Sequence, residues 1–157
     1  MRRFRDALSA MLLSAAAIGA YVTFPGTSVL AAGPRPATPA PGTLDQQLTA
    51  ALTTLIDSAE VEADGKLFLA DGPRDQRFLA RNSGRYYQIN GQGTDAFASR
   101  SLWERRLELS GRKAWTEPLL YDSAQFPDEP LRIVERTVRL PGSDIEWQFA
   151  VAAAHGS

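Results

Sequence analysis

Three side chains within seventeen positions have the types needed to hold a ligand: Tyr87, Arg100 and Trp103. A guanidinium offers a planar fork of N–H donors that matches a carboxylate or phosphate, and the two rings offer flat apolar faces beside it. Their chemistry fits a small anionic ligand. Ser99 and Ser101 flank Arg100, but a serine nucleophile needs a neighbouring base, and the single histidine is His155 in the tail. That also speaks against a cluster of histidines around a metal. No cysteine is present, which excludes disulfides and thiolate metal sites. Glu60, Glu62 and Asp64 alternate along one run, so they form either a carboxylate row for a divalent cation or a solvated face. No two acids stand in apolar surroundings as a general acid and base would require. The composition therefore points to binding without catalysis, with no metal and no cofactor.

These side chains depend on a hairpin. Tyr86-Tyr87-Gln88-Ile89 is a compact β-prone run, and Asn90-Gly91-Gln92-Gly93 after it has the glycines that a reversal uses for positive φ. If the return run is extended, Phe97, Ser99, Ser101 and Trp103 share one side, while Ala96, Ala98, Arg100 and Leu102 share the other. Arg100 then lies among small and apolar neighbours. Buried there, its charge needs a carboxylate, a backbone carbonyl or a ligand. The plain alternatives are an internal acid or the sheet edge for Arg100, and ordinary core for the aromatics.

Around the hairpin the other elements follow from patterning. Thr43-Leu44-Asp45-Gln46 has the Thr-x-x-Gln form of a capping box. Leu44, Leu48, Leu52, Leu55 and Ile56 then repeat at helical spacing to about Ser58. This stripe can pack on the domain's own sheet or on a second copy of the chain. Val61 to Leu69 reads as a hairpin about Asp64-Gly65, and Ala70 to Asn82 as a loop with a short helical turn. Glu104 to Leu109 reads as a short helix or further strand, and the polar run from Asp122 to Pro130 as a surface loop bordering a pocket. Leu131 to Leu140 is β-rich, Pro141 to Asp144 turns, and Ile145, Trp147, Phe149 and Val151 alternate with Glu146, Gln148 and Ala150. That alternation predicts one buried and one more exposed face. Together these elements imply an α+β fold: a central antiparallel sheet with a long N-terminal helix packed on it.

The ends of the chain have a different character. Arg2, Arg3 and Arg5 precede an apolar run from Ala7 to about Phe24, the form of an export signal. It is either a signal peptide cleaved near Ala31, releasing a soluble extracytoplasmic protein, or an uncleaved inner-membrane anchor; a spanning helix wants about 20 apolar residues. Four prolines between Gly33 and Gly42 make an extended linker. The domain plan is thus 1–31 signal or anchor, 32–42 linker and 43–154 folded domain. The whole chain carries a net charge of −1, and without its first 31 residues, which hold Arg2, Arg3, Arg5 and Asp6, it carries −3. A nucleic-acid partner needs a concentrated basic surface, so none is expected.

Ser83-Gly84-Arg85-Tyr86-Tyr87-Gln88-Ile89, followed by Ser99-Arg100-Ser101-Leu102-Trp103, resembles the extracytoplasmic sensor region of bacterial two-component sensor histidine kinases of the PhoQ-like kind. Asp75-Gln76-Arg77-Phe78 stands where that group has Asp-Pro-Arg-Phe, and Tyr87 where Trp is usual. Leu131 to Arg136, Leu140-Pro141-Gly142-Ser143 and Phe149-Ala150-Val151-Ala152 continue the match in the right order. The resemblance covers roughly Thr43 to Ala153. It implies a PAS-like sensor fold, a sensory role, and a homodimer or a membrane sensor kinase as partner. The kinase elements of the family have no counterpart in these residues, and His155 lacks the helical surroundings of a phosphoacceptor, so no enzymatic activity is expected. The prolines of the linker would break the rod that joins membrane helix and sensor helix in that family. The alternative class is a small exported interaction protein that binds another protein through its helix or a sheet edge.

Overall fold

The computed structural model describes residues 42–156. The export segment and all of the Pro-rich linker except Gly42 lie outside the described residues. Helix α1 (Leu44–Asp57) opens with the capping box its sequence announces: the Gln46 amide donates to Thr43 Oγ1 at 3.3 Å, and the Thr43 amide donates to Gln46 Oε1 at 3.0 Å. A two-stranded ribbon follows, β1 (Ala59–Val61) and β2 (Leu67–Leu69), with Gly65 in the turn. Next come a 3₁₀ turn at Gln76–Phe78, β3 (Arg85–Gly91), β4 (Phe97–Ala98), a second 3₁₀ turn at Arg100–Leu102, β5 (Leu119–Phe126), β6 (Glu129–Val138) and β7 (Trp147–Ala154). β3 to β7 form one antiparallel sheet in the order β4-β3-β7-β6-β5. The architecture is α+β, as expected. Among the described residues no helix is long and apolar enough to cross a membrane.

The sheet buries both faces, which corrects the reading of the last hairpin at Ala150, while Glu146 and Gln148 stay half-exposed as expected. On one face Leu48, Leu52 and Leu55 of α1 pack against Ile89, Val134, Trp147, Phe149 and Val151. The stripe on α1 is therefore used within the domain. On the other face Tyr86, Ile133, Ala150 and Ala152 are covered by Leu102 and Leu107. β7 lies in the middle of the sheet, so its Ala150 and Ala152 are as buried as its aromatics. Past Gln148, alternation in β7 sets Phe149 and Val151 on the helix side and Ala150 and Ala152 on the other.

Beyond Leu102 of the second 3₁₀ turn, that cover is residues 103–114, expected as helix or strand over Glu104–Leu109 and found to be neither. Side chains of the sheet take its backbone bonds instead. Gln88 receives the Leu107 amide at 2.8 Å and donates back to the Leu107 carbonyl at 3.0 Å. The fully buried Glu135 accepts from the Ser110 amide at 2.9 Å, the Ser110 hydroxyl at 2.6 Å, Gln148 Nε2 at 3.2 Å and the Tyr121 hydroxyl. Burial, then the Glu135 carboxylate, pushes the Tyr121 phenol well above its ordinary range. Irregular backbone can lie on an apolar face only when its polar groups are paired in this way.

Two further expectations change. The run from Asp122 to Pro130, expected as a surface loop, is instead the end of β5 through Phe126, a turn at Pro127-Asp128 and the first two residues of β6; β5 is an edge strand with a register shift between Ser123 and Phe126. Asp122 and Ala124 are exposed there, which accounts for the polar composition. The hairpin after β3 reverses through Gly91–Thr94, with the Thr94 amide donating to the Gly91 carbonyl at 3.2 Å; only Gly93 has a positive φ. Gly91 serves another purpose. A Cβ there would stand 2.5 Å from the Trp147 ring, so the glycine lets the indole lie on the strand.

Candidate functional site

The return strand of the central hairpin ends early. β4 is only Phe97–Ala98, and two serines explain why. Ser99 Oγ accepts the Tyr87 amide at 3.0 Å, while the Ser99 amide donates to the Tyr87 carbonyl at 2.9 Å. Ser101 Oγ donates to the Arg85 carbonyl at 2.6 Å, and the two hydroxyls bond each other at 2.8 Å. Hydroxyls thus occupy the edge of β3 that a longer β4 would pair with, and the chain coils into a 3₁₀ turn. The extended run from Ala96 to Trp103 that the sequence suggested is corrected accordingly. Arg100 is exposed rather than set among apolar neighbours, and it forms no ion pair among the described residues.

Trp103 follows at φ 55° and ψ −115°, and it is 55% exposed. The Arg105 amide donates to the Leu102 carbonyl at 2.9 Å, which makes Trp103 the first central residue of a tight turn. Those angles suit glycine, and a bulky side chain held at them stores about 1–3 kcal/mol. The turn aims the indole at solvent beside the first 3₁₀ turn. Arg81 lies over its ring, Cζ 4.6 Å from the centroid.

The result is an open groove of about 400 Å³ whose lining includes Leu79, Arg81, Phe97, Arg100, Trp103 and Arg106. Three guanidiniums and an aromatic face meet there, and no carboxylate lines it. Arg106 is held by a 3.0 Å bond from Nη1 to the Arg105 carbonyl, and Arg81 by the indole. Like charges held together without counter-charge raise the local concentration of anions.

Of the three side chains singled out in the sequence, the fold brings Arg100 and Trp103 together and sets Tyr87 apart. Tyr87 points to the helix side of the sheet, edge-on to Phe78 with ring centroids 5.3 Å apart and stacked with Phe97 at 6.4 Å. Burial pushes its phenol up. It backs the groove through Phe97 and does not line it. Arg81 and Arg106 were missed because nothing in their spacing links them to Arg100. The turn at Trp103 and the packing of the first 3₁₀ turn against the second bring them in. The acidic row of β1 and its turn does not close on a site: Asp64 pairs with Lys66 at 2.9 Å, and no group of three or more potential metal ligands is gathered among the described residues.

No protein-family model, curated protein or solved structure matches the chain.

Proposed function

We propose that this is an extracytoplasmic ligand-binding domain of the sensory kind, taking a small organic anion in the groove between Arg81, Arg100, Arg106 and Trp103. The observation that carries the reading is the convergence of three guanidiniums on an exposed indole with no carboxylate among the lining residues. Guanidinium forks engage the acidic group of the ligand, and the indole covers its flat or apolar part. A strained, exposed tryptophan beside such a cluster is what a site kept ready for a ligand looks like.

The PAS-like fold implied by the sequence resemblance belongs to the same proposal. In its support, the first and last strands of the sheet in chain order, β3 and β7, lie side by side in its interior, with one helix packed across a face. Export rests on the basic and apolar N-terminal segment. Sensing is a population shift: an anion that draws the two 3₁₀ turns together favours one arrangement of the sheet edge, and a partner kinase or second copy of the chain reads that arrangement.

A thermal-shift panel of benzoate, succinate, citrate and phenyl phosphate, against sodium chloride at equal ionic strength, tests the site. At least one of these anions should raise the melting temperature of the wild type saturably. Arg100→Ala should lose that response and keep its own stability within about 0.5 kcal/mol, since Arg100 is exposed. A response that survives Arg100→Ala removes Arg100 from the site.

A further inference from the structure

On the opposite flank of the first 3₁₀ turn lies a second recess of about 350 Å³, between α1 and the segment Pro73–Phe78. Arg85 reaches into it from β3. Arg85 is only 8% exposed, yet its guanidinium makes a single hydrogen bond among the described residues, from Nη2 to Gln47 Oε1 at 3.0 Å. That acceptor is neutral and fixed in place, because Gln47 Nε2 donates to the Gly42 carbonyl at 2.9 Å. Among the described residues no carboxylate or carbonyl bonds the remaining N–H groups of Arg85, and they are not sealed in the core but open to the recess.

The neighbouring charges sharpen the deficit. Asp75 is the one carboxylate on the recess, and Arg77 already holds it through Nε at 2.9 Å and Nη2 at 2.7 Å, with the Arg77 amide adding a third bond at 3.0 Å. Arg74 lines the same recess. Three guanidiniums therefore share one carboxylate that is already spoken for. Burial, and then repulsion from Arg77, lowers the pKa of Arg85 from its ordinary value, against a smaller opposing pull from Asp75.

The rest of the lining says what kind of anion fits. Apart from its charged groups and Gln47, the recess is lined by Ala50, Ala51, Thr54, Pro73 and Phe78, and the Thr54 hydroxyl is already turned back to the Ala50 carbonyl at 3.1 Å. A carboxylate on Arg85 places a short hydrocarbon tail on that apolar wall. Phosphate or sulfate would leave it bare, and an amino acid would bring its ammonium towards three guanidiniums.

We propose that this recess is a second binding site, separate from the groove at Trp103, and that it takes a short-chain monocarboxylate whose two oxygens bridge the unpaired N–H groups of Arg85. Sodium propionate is the probe, with sodium chloride and sodium phosphate at equal ionic strength as comparisons. Propionate should raise the melting temperature of the wild type saturably and more than phosphate does. Arg85→Gln should weaken the apparent affinity at least about tenfold, as expected when a charge-assisted bidentate contact is lost. Lys113→Gln, a surface change of the same charge elsewhere, should leave the response in place. A wild type that responds to propionate no more than to chloride overturns the site, as does an Arg85→Gln protein that responds fully. A phosphate response as large as that to propionate overturns the assignment to a monocarboxylate. Should Arg85→Gln not fold, the Arg85 Nε–Hε resonance of the wild type decides: it must move and saturate with propionate, and a stationary signal refutes the proposal.

Discussion

Trp103 joins an unusual backbone geometry to the proposed recognition of a ligand in one residue. Its φ of 55° would suit glycine, and its ring is 55% exposed with the Arg81 guanidinium lying over it. Replacing it separates the two roles. Glycine relieves about 1–3 kcal/mol of strain and adds about 1 kcal/mol of unfolded-state entropy. Trp103→Gly should therefore melt no lower than the wild type in chloride while losing the response to anions, as read by thermal shift. A fall of more than about 1 kcal/mol would mean that packing, which the 55% exposure of the ring argues against, holds the indole. At this scale the sequence was a partial guide. Residue type alone pointed to Arg100 and Trp103, but Tyr87 fell to the core because register decides which face a strand residue takes. The environment expected for Arg100 was overturned by two serine hydroxyls that end β4, and nothing in the order of residues distinguishes such hydroxyls from ordinary strand positions.

Among the elements, α1 was the most legible, since its cap and its leucine stripe both lie within a continuous run. β5 was hidden, because an edge strand with one solvated side and a register shift carries the composition of a loop. The strap over the second face was equally hidden: it is held by Gln88, Glu135 and Thr137, which lie far from it in the chain. α1 also carries a pH signature. Arg132 on β6 clasps Asp45 in the first turn of α1 through Nε at 2.8 Å and Nη2 at 2.9 Å. That clasp holds the Asp45 carboxyl below the ordinary aspartate value of 3.8. A carboxylate with a depressed folded-state pKa adds stability that is fully present above its unfolded value and lost as pH falls through the folded one. Asp45→Asn should consequently flatten the decline of stability below about pH 3.8 relative to the wild type, with little change in its slope at neutral pH. Urea midpoints taken across that acid range check it, and an unaltered acid slope would show the clasp to be energetically idle.

In the whole molecule the two recesses sit on either flank of the first 3₁₀ turn, which Asp75 caps and Arg77 braces. Phe78 from that turn packs on Tyr87, and Tyr87 stacks on Phe97 of the groove. One small element thereby borders both recesses, and it contacts β3, the first strand of the central hairpin, and the second 3₁₀ turn. That arrangement is suited to transmit occupancy to a partner. The class of fold could be read from the order of elements. The site could not be read in full, because it is assembled from three separated segments. The measurement that bears most directly on the account is a ¹H–¹⁵N titration of the folded domain with whichever anion stabilises it in the thermal panel. Saturable shifts should concentrate at Leu79–Arg81, Phe97–Trp103 and Arg106, with the Trp103 indole N–H among the largest. Saturable shifts confined to other parts of the sheet, with the Trp103 indole unmoved, would contradict the account.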